Sequence, residues 1–353
     1  MKHIPFLDGV RALAVMVVLA FHCRVPGFDG GFLGVDVFFV LSGFLITTML
    51  AKESAEKERI QFRQFYMQRA LRLTPALVVM LAAYTALASL TNSNWSTATH
   101  WRDATLAALY LSDYAMAFWH VPNLIGHTWS LSVEEHYYLL WPLVLVFGLR
   151  LKRAWLIALL VFFYFADMVW RDTVFLQAGW QEAYYRFDTR LTGLLLGGIS
   201  ALSAPQLPQR WAAPLSTLGL AIIFAAESLR WGNAATVIWG IPAVELASAL
   251  LILGALNNTD SLTTRILAFR PIAFIGTISY AIYLWHYPIA KLLRDQWPWY
   301  QTLPVTLTLS LALATASYFL IEKPINRWRK SRRLEQNKAR KLIRPTLAPQ
   351  AVR

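Results

Sequence analysis

The chain has 353 residues, 57% hydrophobic and only 15% charged, with a mean hydropathy of +0.43. Soluble domains carry about 25% charged residues, so this balance excludes a disordered chain and a coiled coil and argues against an ordinary soluble enzyme. The single cysteine, Cys23, allows no intramolecular disulfide, and the net charge of +13 gathers between apolar runs and in the C-terminal stretch, a membrane pattern more than a nucleic-acid one.

A bilayer core takes roughly 20 mostly apolar residues per helix. In chain order, ten segments meet that description: 7–23, 33–50, 73–91, 127–149, 154–170, 188–204, 213–229, 234–256, 272–293 and 304–322. The first follows Lys2 like a signal peptide, yet bulky Phe21 and His22 precede Cys23 where a cleavage site would need small residues, so it is expected to be a retained helix. The stretch 104–118 is shorter and carries Asp113, and is expected to be one interfacial or re-entrant helix. Ten spans put both termini on one side of the membrane. Loops on that side carry 24 Lys and Arg against 8 on the other, which predicts cytoplasmic termini. The expected organisation is an all-α integral membrane protein, with a transmembrane domain over 1–325 and a basic cytoplasmic tail over 326–353 near anionic headgroups.

Ionisable residues within a membrane are costly and commonly face a cavity. Arg11 and His22 lie eleven residues apart on the first helix. That is about 20° past three full turns, so they share a face, separated by roughly 17 Å. Asp36 stands in GGFLGVDVFFVLSGFLIT, between Val35 and Val37. Arg69 and Arg72 are neighbours on a helix face just before the third span, and two guanidinium forks there suit a phosphate. Ser130, Glu134 and Tyr138 recur at i, i+4 and i+8 in HTWSLSVEEHYYLLWP; Ser279, Tyr283 and His286 share a face of ISYAIYLWHYPI. Each feature has a plainer reading, as snorkelling, capping or helix packing.

Together, over 1–325, these motifs resemble the acyltransferase-3 family of integral membrane acyltransferases, which modify bacterial surface polysaccharides, peptidoglycan, osmoregulated glucans and some antibiotics. The resemblance rests on Arg11-x10-His22, on the second-helix signature with Asp36, Ser42 and Gly43, on Arg69-x-x-Arg72, on the block from His127 through Trp129, Ser130, Glu134 and Glu135, and on Ser279-Tyr280 through His286. Many members have Gln and Phe where this chain has His136 and Tyr137. Some members carry an esterase-like domain after the tenth helix; with only a basic tail there, this chain is expected to act alone or to hand its acyl group to a separate protein.

The resemblance implies a multi-pass protein of the bacterial inner membrane. It would move an acyl group, by default acetyl, from cytoplasmic acyl-CoA to a hydroxyl of an extracytoplasmic carbohydrate such as O-antigen or exopolysaccharide. Arg11, Arg69 and Arg72 would hold the coenzyme A phosphates. His22 would be the general base, its ordinary pKa of about 6.5 suiting that role, oriented by either Asp36 or Glu134. Ser42, Trp129, Ser130, Glu135, Tyr138, Tyr283 and His286 would line the substrate path. No tightly bound cofactor and no metal are expected, since the histidines lack His-x3-His spacing. The competing reading is a secondary transporter whose intramembrane His, Asp and Glu form a proton relay.

Overall fold

Every regular element among the described residues is helical. The computed structural model describes residues 4–91, 96–203 and 207–325, together with 327, 328 and 331, so the expected tail over 326–353 lies almost wholly outside the described residues. The helices are α1 Pro5–His22, α2 Gly34–Lys57, α3 Phe62–Thr91, α4 Thr97–Ala108, α5 Ser112–Trp119, α6 Trp129–Gly148, α7 Arg153–Ala178, α8 Trp180–Tyr185, α9 Leu191–Ser203, α10 Gln209–Ala225, α11 Ile241–Asn257, α12 Leu262–Leu267, α13 Arg270–Thr277, α14 Ser279–Leu293 and α15 Trp299–Ser317.

Local chemistry explains several boundaries. Pro5 opens α1, where its missing N–H costs nothing and its φ is already helical. Ser96 caps α4 by accepting from Thr99 N at 3.3 Å. The expected single helix over 104–118 is instead two, α4 and α5, because Tyr110 adopts a left-handed φ of 54° between them. The expected span 272–293 is likewise divided into α13 and α14 at Ile278.

Each of the ten expected spans overlaps a helix, but seven helical stretches are long and apolar enough to cross a membrane: Pro5–His22, Gly31–Lys57, Phe62–Leu87, Arg153–Ala178, Gln209–Ser228, Thr236–Asn257 and Trp299–Ile325. The other three fall short for different reasons. α6 carries Glu134 and Glu135, α9 has only 13 residues, and the α13–α14 segment is broken. Arg69 and Arg72 lie inside α3, not ahead of it.

α2 is the centre of the bundle and the most buried of the seven long stretches. It crosses α9 at backbone contact. A methyl group added at Gly43 would meet the Leu194 carbonyl oxygen at 2.0 Å, and one at Gly197 would meet the Val40 oxygen at 2.1 Å. Small residues at such crossings let backbones approach where lipid supplies no hydrophobic drive. α1 is clasped between α2, α13 and α14, which brings both of its ends onto the neighbours that build the site. α7 lies at the periphery, exposing Phe162, Phe165, Val169 and Leu176, a surface suited to lipid. The chain is an all-α integral membrane protein.

Candidate active site

At the Arg11 end of α1, helices converge on a narrow cavity of about 70 Å³. α1 contributes Arg11, α2 Ser42, α3 Arg69 and Arg72, and α6 Glu134 and Tyr138. The Ser42 hydroxyl donates to Glu134, and the Tyr138 hydroxyl donates to Ser42 Oγ at 3.1 Å. The Arg69 guanidinium lies over the Tyr138 ring, 4.8 Å from its centroid. Three guanidinium groups against one carboxylate leave the cavity strongly positive, the composition of an anion site.

At the His22 end lies a second cavity, of about 250 Å³. Its walls are aromatic and imidazole: Trp129, Tyr184, Tyr287 and half-exposed Trp231 surround His22 and His127, with Arg294 at the edge. His22 Nδ1 lies 3.0 Å from His286 Nε2. α14 holds the other two imidazoles through its own backbone. His286 Nδ1 faces the carbonyl oxygens of Tyr283 at 2.7 Å and Ile282 at 3.2 Å. Pro288 sits inside α14 and has no N–H to give Leu284 four residues earlier. His127 Nε2 takes that place, 3.2 Å from the Leu284 oxygen. A carbonyl only accepts, so His127 carries its proton on Nε2, and its buried Nδ1 is left bare and unpartnered.

The two cavities share a wall. Val35 and Tyr283 line both. The Tyr283 hydroxyl donates to the His127 carbonyl at 3.0 Å, and Ser130 Oγ is 2.6 Å from the same hydroxyl. A hydrogen-bonded strip therefore runs from Ser130 in the first cavity to His127 in the second.

Three expectations need correction. Neither Asp36 nor Glu134 hydrogen-bonds His22; His286 occupies that position. Asp36 is fully buried and accepts from Arg190 Nη2 at 2.6 Å. Arg190 is 1% exposed and stacks on Tyr184, 4.7 Å from the ring centroid. Beside this pair, Arg171 donates to Thr192 Oγ1 at 3.1 Å, Thr192 donates to Glu245 at 2.5 Å, and the Thr192 N–H reaches Asp167 at 2.9 Å. Burial favours this arrangement, because a lone carboxylate in low dielectric needs a cation more than it needs a neutral imidazole. Arg171 and Arg190, two of the eight basic residues expected in loops on the less basic side, are thus interior residues. Glu135 lines neither cavity, as its neighbour Glu134 takes the inward face. His136 lies 3.2 Å from buried Asp113 and gives the departure from the family pattern a local partner.

His127, Arg190, Tyr287 and Arg294 are the site residues that sequence reasoning left without a role. Only His127 carried a signal, its place at the head of the Trp129–Glu135 block. Among the described residues no group of three or more His, Cys, Asp or Glu side chains is placed to hold a metal ion.

The model of an acyltransferase-domain family matches residues 4–323. The chain is 31% identical to the peptidoglycan O-acetyltransferase OatA of Listeria monocytogenes, over 92% of this chain and 56% of that protein. It is 30% identical to the O-acetyltransferase OatA of Staphylococcus aureus, over 92% and 58%. YrhL of Bacillus subtilis is 31% identical, over 92% and 55%. The chain thus spans about half the length of the curated relatives it matches. No solved structure matches it. The family match over nearly the whole chain, on a helical membrane frame that brings Arg11, Arg69 and Arg72 into one cavity and His22 and His286 into the next, places this protein in the acyltransferase-3 family.

Proposed function

We propose that the protein is a bacterial plasma-membrane O-acetyltransferase that takes its acyl group from acyl-CoA on the cytoplasmic side and delivers it to a carbohydrate hydroxyl on the outer side. The observation that carries this reading is the pair of cavities meeting at Val35 and Tyr283, one cationic, the other holding His22. The relatives named for peptidoglycan turn the expected acceptor away from O-antigen or exopolysaccharide and toward the amino-sugar glycan of the cell wall.

Arg11, Arg69 and Arg72 would grip the phosphates of the donor, and the small volume of their cavity, about 70 Å³, suits the thin pantetheine arm better than a sugar ring. The arm would pass between Val35 and Tyr283 to bring the thioester to His22. His22 Nε2 then takes the proton of the acceptor hydroxyl as its oxygen attacks the thioester carbonyl. The C–S bond breaks, and the departing thiolate recovers the proton from His22. Arg294, which has no carboxylate partner among the described residues, lines the same cavity and would lower the cost of negative charge on the carbonyl oxygen.

The test is transfer itself. Protein reconstituted in vesicles is given radiolabelled acetyl-CoA on one side and an N-acetylglucosamine oligomer on the other. Label should appear as an alkali-labile ester on the oligomer. Solute movement without consumption of acetyl-CoA would instead support a carrier.

A further inference from the structure

A neutral imidazole has one N–H, so each contact of His286 constrains the next. His286 Nδ1 faces two carbonyl oxygens, at 2.7 and 3.2 Å, and must be the protonated nitrogen. No carboxylate contacts this fully buried ring among the described residues, and a second proton would be an unpaired interior charge. His286 Nε2 is therefore a bare acceptor. His22 Nδ1, 3.0 Å away, must then be the donor. That leaves His22 Nε2 without a proton. This atom makes no hydrogen bond within the protein and is not sealed off, and its ring lines the larger cavity.

We propose that His286 is a positioning residue that sets the tautomer of His22, so that backbone carbonyls of α14 decide, through two imidazoles, which nitrogen of His22 is the base. The inference deepens the transfer reading above and rests on His22 as proton acceptor. In the transfer step His22 Nε2 gains the substrate proton while its Nδ1–H keeps donating to His286, so the new positive charge is met by an aligned lone pair. His286 changes neither its proton count nor its partners. The arrangement differs from a carboxylate-oriented histidine in using a neutral partner, His286, held by the backbone of its own helix.

The full chain is placed in lipid nanodiscs with ring-15N histidine, and nitrogen chemical shifts report which ring nitrogen carries the proton. Of the seven histidines, His22 is assigned by the signals lost in His22→Gln. The wild type should show His22 protonated at Nδ1 and bare at Nε2. His286→Phe keeps a planar aromatic ring, somewhat larger, and removes the acceptor; it should mix the His22 tautomers and lower kcat about 10- to 100-fold with the KM for acetyl-CoA unchanged. His286→Gln offers an amide oxygen and should recover part of that loss. A wild-type His22 protonated at Nε2, or a folded His286→Phe with full kcat, overturns the proposal. Should His286→Phe not fold, the wild-type spectrum still decides. A wild type that transfers no acetyl would defeat the transfer reading alone, because the nitrogen shifts are read without turnover.

Discussion

The two cavities at the ends of α1 are built on opposite electrostatic plans. Around Arg11 the side chains are permanent charges from three helices, with Glu134 pinned by Ser42 and indirectly by Tyr138. Around His22 one cation, Arg294, stands at the edge and the rest is neutral: imidazoles tied to main-chain carbonyls, walled by indole and phenol rings. Fixed charge is effective for holding an anionic group, because it needs no adjustment when the ligand arrives. It is poorly suited to moving a proton, which requires a group that changes charge and changes back. The division between holding and reacting thus falls along one helix, with ten residues between Arg11 and His22.

That division can be broken most severely at His22. His22→Gln keeps a hydrogen-bonding side chain but removes the base, and transfer should fall by roughly 10²–10⁴-fold while acetyl-CoA binding, measured by calorimetry in nanodiscs, stays as it was. A loss of donor affinity in this variant would erase the distinction between the two ends. At the other end, Arg69→Ala combined with Arg72→Ala should raise the KM for acetyl-CoA by at least about 150-fold, given about 1.5–3 kcal/mol for each of two charged hydrogen bonds lost. Lysine at both positions should recover only part, since it keeps the charge and loses the fork. Unchanged donor kinetics would remove the arginines from the donor site.

Smaller effects sharpen the contrast. Trp231→Ala strips one wall of the larger cavity, and at about 1 kcal/mol for a lost aromatic contact the KM for the glycan acceptor should rise about 5-fold, with acetyl-CoA kinetics unaffected. Pro288→Ala is expected to be the mildest. It returns an N–H to α14, which then competes with His127 for the Leu284 oxygen. Helix stability should improve, seen as a higher melting temperature, while kcat drops a few-fold, in line with about 1 kcal/mol for one hydrogen bond.

What could be read in the sequence is what depends on a single helix. The shared face of Arg11 and His22 follows from 3.6-residue periodicity, and so does the alignment of Ser130, Glu134 and Tyr138. Pairings across helices were not legible. Nothing in the local pattern joins Ser42 to Glu134, 92 residues on, or Asp36 to Arg190, 154 residues on. His286 was visible as a motif residue, but its contact with His22 arises only because α14 packs on α1. The break at Tyr110 carries no Gly or Pro to announce it, and at Ile278 the one local signal is Gly276 in the last turn of α13.

The buried Asp36–Arg190 pair also has a history in time. The two residues are made 154 positions apart. A ribosome adding about 5–20 residues per second therefore releases the carboxylate roughly 8–30 s before its guanidinium. During that interval α2 is a hydrophobic helix with one uncompensated acid and cannot settle at its final depth without cost. It has to linger at the polar margin of the bilayer until α9 is delivered. Docking of α9 onto Gly43 is then the event that locks α2, and with it Ser42 and Val35, into the site. The late arrival of one arginine holds back the central helix of the bundle until α9 has been made.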